Sequence, residues 1–353
     1  MNLKMQLPCC ESNAGARRDA SIEAYRVFLM FLICLLHSTT QGIVPNLYVR
    51  SGLLWAVPGF VFISGWFGIG FKLSKLIRLF MTGVVCGGIA ICVAYFSGMH
   101  LRTENIAQMT MRQWFLCCYM VLMLLAPLLN VAMENIRMMK GGVAAIAVLL
   151  SWNWLSTSRG MHVYGPVADG FGDYTFVMML VVYTCARLVR ICCDNDNAFF
   201  PALYGKRLTA LVLAAFAVCA VGWRFHLGEY SSPVAIATAA LAFLLFRRIK
   251  PPTFVRKAIF FLAPSMFPVY LLHTNAVGFT AIKAFQGTLS GCGVPVFLLI
   301  PLTAVAVFVS CICLDLIRRG IGWLFNPALK RLWCMIDNRC DRLDSRIVSW
   351  MNG

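Results

Sequence analysis

The stretch "RVFLMFLICLLH", residues 26 to 37, sets an arginine and a histidine at the two ends of ten uncharged, almost wholly apolar residues. With its flanks it forms an apolar run over 22–41, and about 20 such residues cross a hydrocarbon core as a helix. Eleven residues of helix come within about 20° of three whole turns, so Arg26 and His37 share one face, about 16 Å apart along the axis. Glu23, three residues before Arg26, lies on that face and within reach of an ion pair. An arginine alone near the end of a span reads equally well as an anchor whose head snorkels to the phosphates. A histidine on the same stripe does not fit that reading. Ionisable residues inside membranes face a bundle interior or a wet cavity, which makes this face a candidate conduit.

The composition supports a bilayer around that helix. Of 353 residues, 60% are hydrophobic and 13% charged, with a mean hydropathy of +0.76. Soluble domains carry about 25% charged residues, and a single soluble core could not bury so much apolar surface. The chain is therefore expected to be an all-α polytopic membrane bundle. Residues 1–20 are polar and lack the apolar centre of a cleavable signal, so the first apolar segment is expected to stay as an anchor. Ten spans are predicted, over 22–41, 53–71, 79–97, 113–133, 142–158, 174–191, 208–224, 231–246, 258–280 and 294–316. With the N-terminus inside, 24 of the 31 Lys and Arg fall on the cytoplasmic side and six outside. That asymmetry agrees with ten spans and two cytoplasmic termini. It also accounts for the net charge of +17 without any nucleic-acid partner. One transmembrane domain is expected over 21–318, between a cytoplasmic segment 1–20 and a tail 319–353. The tail reads either as an amphipathic helix on the membrane surface or as a solvated extension.

Sixteen cysteines do not make a disulfide or zinc framework here. Cys34, Cys86, Cys92, Cys117, Cys118, Cys185, Cys219, Cys311 and Cys313 lie in apolar runs, where cysteine acts as a small hydrophobe. No CxxC pair and no Cys/His cluster with ligand spacing occurs, so no metal is expected.

A second histidine, His273, stands in "FPVYLLHTN", residues 267–275. It lies 16 residues from the basic edge at Lys257, as His37 lies 16 from Ser21. Two straight helices would thus bring both imidazoles to one depth, with Tyr270 one turn from His273 on the same face. Paired buried imidazoles suit proton transfer. Two unrelated polar residues, each satisfied by a neighbouring helix, would read the same way. The stretch "PGFVFISGWFGIGF" (58–71) carries Gly59, Ser64, Gly65, Gly68 and Gly70, as close helix packing requires. In "KLSKLIR" just after it, Lys72, Lys75 and Arg78 form one basic edge, suited either to phosphates or to holding topology.

Taken in order, these stretches resemble the membrane-bound acyltransferase 3 family. "IEAYRVFLMFLICLLH" (22–37) is similar to that family's arginine, ten residues, histidine. "FVFISGWF" (60–67) resembles its aromatic-rich Ser-Gly segment, a basic pair follows, and "SMFPVYLLH" (265–273) is similar to its late Ser-Phe-x-x-Tyr-Leu-x-His. The resemblance implies an O-acyltransferase of the bacterial inner membrane, most often an acetyltransferase. Its donor would be cytoplasmic acetyl-CoA. Its acceptor would be an envelope glycan: exopolysaccharide, capsule, the O-antigen of lipopolysaccharide, or a lipid-linked sugar. His37 would correspond to the catalytic histidine, Arg26 to its partner, and Glu23 to an acid that is Asp in many relatives. His273 and Tyr270 would support it, and Lys72, Lys75 and Arg78 would contact the donor. Lys75 replaces the first arginine of the family's Arg-x-x-Arg and lacks the bidentate fork. A lipid-linked-sugar transporter is the rival reading, although the hydropathy pattern predicts no matched pair of broken helices. Trp152, Asn153, Trp154, His162, Asp169 and Asp173 cluster towards the outer side, to meet sugar rings or to anchor in the interface.

Overall fold

The computed structural model describes residues 18–110, 113–136, 176–194, 206–324 and 326–352. All the regular structure there is helical. Helix α1 spans Ala20–Thr40, α2 Leu47–Leu53, α3 Ala56–Phe67, α4 Leu73–Phe96, α5 Thr103–Thr110 and α6 Trp114–Ile136. After the undescribed segment come α7 (Phe176–Asp194), α8 (Lys206–Val221) and α9 (Pro233–Phe246). Then follow α10 (Thr253–Leu262), α11 (Met266–His273), α12 (Ala276–Gly291), α13 (Val296–Leu324) and α14 (Asn326–Asn352).

Eight of these helices or helix pairs are long and apolar enough to cross a membrane, so the chain is a polytopic bundle. A ninth, α9, is apolar but only 14 residues long. The expected fifth span, 142–158, and the aromatic and acidic cluster from Trp152 to Asp173 lie outside the described residues. The surface agrees with a bilayer. Phe254, Phe297, Leu128 and Leu213 all point outward, an arrangement that water would penalise and lipid favours.

Helix α1 is the central post. It packs against α2, α3, α9, α10, α11 and α13. Its start is set by Asp19, whose carboxylate accepts the Ser21 amide, as an N-cap should. Tyr25, Leu29, Ile33 and Leu36 are buried on it, and the Tyr25 hydroxyl donates to the Ala239 carbonyl of α9 at 2.9 Å. Helix α3 lies closely on α7: a Cβ at Gly65 would meet the Tyr183 carbonyl oxygen at 2.6 Å. Gly59 and Gly65 thus serve the packing expected of them, whereas Gly70 meets nothing.

Two spans depart from the straight helices expected. The second is interrupted at residues 54–55, between α2 and α3. The ninth, expected to run unbroken over 258–280, passes through a 3₁₀ turn at Ala263–Ser265 and ends at His273. Pro264 explains the turn, because it has no N–H to give the ladder. Asn275 explains the end. Its side-chain oxygen accepts the amides of Val277 and Gly278, which caps a new helix, while its amide nitrogen donates to the carbonyls of Leu271 and Leu272. Among the described residues two spans are thus interrupted, where the hydropathy pattern gave no matched pair of broken helices. The tail is helical as α14, and it packs against α4.

Candidate active site

His37 and His273 meet. His37 Nδ1 lies 3.1 Å from His273 Nε2, and the rings stand edge to face with centroids 5.0 Å apart. Break and register together produce this contact. His273 is the last residue of α11 and is only 1% exposed. Its Nδ1 lies 2.6 Å from the carbonyl oxygen of Val269, one turn back.

That last contact settles where the protons are. A backbone carbonyl can only accept, so His273 Nδ1 carries the hydrogen. In the neutral ring its Nε2 is then bare and accepts from His37 Nδ1–H. The remaining nitrogen of His37, Nε2, keeps a lone pair. Val269 O, His273 and His37 thus form one hydrogen-bonded row whose outer nitrogen, His37 Nε2, can accept a proton. His37 is half-buried, with Phe279 of α12 against its ring at 5.6 Å.

The α11–α12 junction depends on one glycine. A Cβ at Gly278 would fall 2.3 Å from the His273 carbonyl oxygen, so only glycine lets α12 start this close to the imidazole. Gln113 of the α5–α6 connection is buried here too, donating 2.9 Å to the Leu271 carbonyl while its own Oε1 has no partner among the described residues. Sequence reasoning missed Gln113, Asn275, Gly278 and Phe279. Asn275 and Gly278 carried a signal, an Asn-x-x-Gly step inside an apolar run, but the other two carried none.

Tyr270 is buried beside this pair, its ring 6.2 Å from that of His273 and 5.2 Å from that of Phe115. Along α1 towards the N-terminus, Arg26 donates to Glu23 at 2.9 Å, as the spacing anticipated, and Arg18 reaches the same carboxylate oxygen at 3.2 Å. Glu23 is buried and Arg26 half-buried. Ser64 of α3 and Tyr119 of α6 hydrogen-bond at 2.9 Å.

The basic edge of α4 stands apart. Lys72, Lys75 and Arg78 are exposed on its first turns, and Arg78 is engaged by the tail. Its guanidinium is 2.6 Å from Asp337 and lies over the Trp333 ring at 4.8 Å. The structure therefore sets Glu23, Arg26 and His37 along α1 and brings His273 and Tyr270 of α11 to the His37 end. It leaves Lys72, Lys75 and Arg78 on a neighbouring surface.

The bundle of membrane-spanning helices thus holds two hydrogen-bonded imidazoles between α1 and α11. The chain belongs to the acyltransferase 3 family, whose acyltransferase domain matches residues 19–316. That span includes all eight residues just named and stops short of α14. Membership makes the protein a membrane transferase of acyl groups, with an acyl donor and an acceptor. No curated protein and no solved structure matches it.

Proposed function

We propose that this protein is an O-acyltransferase of the bacterial inner membrane that moves an acyl group, acetyl first among candidates, from cytoplasmic acyl-CoA to a hydroxyl of an envelope glycan. The acceptor would be an exopolysaccharide, capsule or O-antigen sugar. The observation that carries the reading is the row from Val269 through His273 to His37, which leaves His37 Nε2 as the free base.

In this reading the acceptor hydroxyl attacks the thioester carbonyl as its proton passes to His37 Nε2. The new C–O bond forms, the C–S bond breaks, and the proton leaves with the thiolate of coenzyme A. Positioned proton transfer of this kind contributes about 10²–10⁴-fold. His273 holds the productive tautomer and supports the imidazolium as it forms. Equally compatible with the geometry, His37 Nε2 carries the acyl group covalently before the sugar takes it. Tyr270 and backbone amides are candidates to meet the oxyanion. Arg26, held by Glu23, presents its charge about 16 Å before His37 along the helix, on the donor's approach. Lys72, Lys75 and Arg78 attract the phosphates at the membrane face.

The interrupted spans α2–α3 and α10–α11 are the feature that favours the rival, transport of a lipid-linked sugar. The test separates the two. Membranes containing wild type or His37→Ala are given radiolabelled acetyl-CoA, and label is followed into polysaccharide. Label entering glycan with wild type and not with the variant is expected. Retained acetylation by correctly inserted His37→Ala sinks the catalytic role, and movement of unmodified glycan without acetyl-CoA consumption favours the transporter.

A further inference from the structure

A basic cavity opens at the N-terminus of α1, and none of Lys72, Lys75 and Arg78 lines it. It measures about 720 Å³ and is lined by residues 18–21 on one side and by the α9–α10 connection and α10 on the other. Five cations face it, Arg18, Arg247, Lys250, Arg256 and Lys257, against one carboxylate, Asp19. That carboxylate is already spent on the Ser21 amide and hydroxyl. Lys250, Arg256 and Lys257 have no carboxylate partner among the described residues. Holding so many cations in one hollow is unfavourable unless an anion joins them. The first turn of α1, Ala20 and Ser21, adds the positive end of a 21-residue helix to the same space.

Two further contacts tie the cavity to the candidate active site. Arg18, on its rim, binds the Glu23 carboxylate that also holds Arg26. Arg247 lies flat on the Trp66 ring at 4.5 Å, so one wall is fixed to the buried end of α3. From Ala20 to His37 is 17 residues, about 25 Å of helix, with Arg26 between them. A ligand that puts phosphates in the cavity and a reactive group at His37 must be long, thin and charged at one end only.

We propose that this cavity binds the phosphorylated nucleotide end of the acyl donor. The proposal rests on the acyl-CoA reading above and assigns the donor's head group to Arg18, Arg247, Lys250, Arg256 and Lys257. Lys72, Lys75 and Arg78 then attract the incoming phosphates at the membrane face, and the cavity is the main anchor. The donor's thin arm runs up α1 past Arg26 to His37.

The test is binding, independent of turnover. Full-length protein in nanodiscs of zwitterionic lipid is titrated with coenzyme A and with 3′-dephospho-coenzyme A. The triple variant Lys250→Gln, Arg256→Gln, Lys257→Gln is expected to bind coenzyme A at least about tenfold more weakly, one charge-assisted contact or more being lost. The loss should be smaller for the dephospho form. A charge-preserving Arg256→Lys, Lys257→Arg variant, made to guard against misfolding, should bind nearly as wild type. Equal affinity in wild type and triple variant overturns the cavity assignment while leaving the acyl-CoA reading intact. Absence of coenzyme A binding to inserted wild type overturns both. Titration is repeated with phosphatidylglycerol in the discs: if that lipid alone abolishes binding in wild type and leaves the triple variant unchanged, the cavity holds a lipid head group and the donor assignment falls.

Discussion

Replacing His273 tests the imidazole row most sharply, because His273 touches the proposed base and not the sugar. In His273→Ala, His37 Nδ1 loses its acceptor at 3.1 Å. A neutral hydrogen bond is worth about 0.5–1.5 kcal/mol, so loss of orientation alone lowers the rate about two- to tenfold. The larger effect comes when His37 takes a proton. The same contact then becomes charge-assisted, worth about 1.5–3 kcal/mol, or roughly 10- to 150-fold. A kcat reduced by about 10- to 150-fold with donor KM near wild type is therefore expected, a smaller loss than that from His37→Ala. His273→Gln should recover part of it, since its carbonyl can accept from His37 and its amide can donate to the Val269 carbonyl. Initial rates of glycan acetylation in proteoliposomes, with insertion checked by gel filtration, give the comparison. Wild-type kcat in His273→Ala, or a loss confined to KM, would refute the row.

Two other outcomes follow from the packing of α12 and α14. Gly278→Ala forces a Cβ against the His273 carbonyl and should cost about 1–3 kcal/mol, read as a lower melting temperature in detergent together with lost activity; an unchanged melting profile with full activity would contradict the close approach. Arg78→Ala and Asp337→Asn break a half-exposed pair worth about 1 kcal/mol or less, so their double-mutant cycle should show coupling and faster hydrogen exchange in α14. Additive effects and unchanged exchange would mean that the tail is held by other contacts.

The line from Glu23 to His37 was legible because helical periodicity alone orders one face of one helix. His273 was placed by counting residues from a basic edge, which works when two spans start at similar depth. The meeting of the two rings survived even though the ninth span is not straight, since the 3₁₀ turn at 263–265 falls before His273 and the break falls after it. Pro264 and Asn275 were visible as residues, but hydropathy averages over them, so the interruptions stayed hidden. Gln113 and Phe279 reach the site from other elements, and no one-dimensional pattern reports such convergence. Charge counting put Lys250, Arg256 and Lys257 on one side of the bilayer. It could not say that they converge with Arg18 on one hollow, which takes the packing of α10 against α1. The Arg78–Asp337 pair joins residues 259 apart, beyond any local rule.

The imidazole pair also joins residues 236 apart, the first crossing helix to one made near the end. At about 5–20 residues per second, the ribosome needs roughly 12–47 s between delivering His37 and delivering its partner. Until residue 233 is made, α1 lacks α9, α10, α11 and α13, four of the elements it will pack against. The Glu23 carboxylate, paired with both Arg26 and Arg18, is available at once to soften the presence of a charge in lipid. The central post of the bundle thus waits on partners from the far end of the chain, and a chain stopped before residue 273 lacks the inner imidazole of the row.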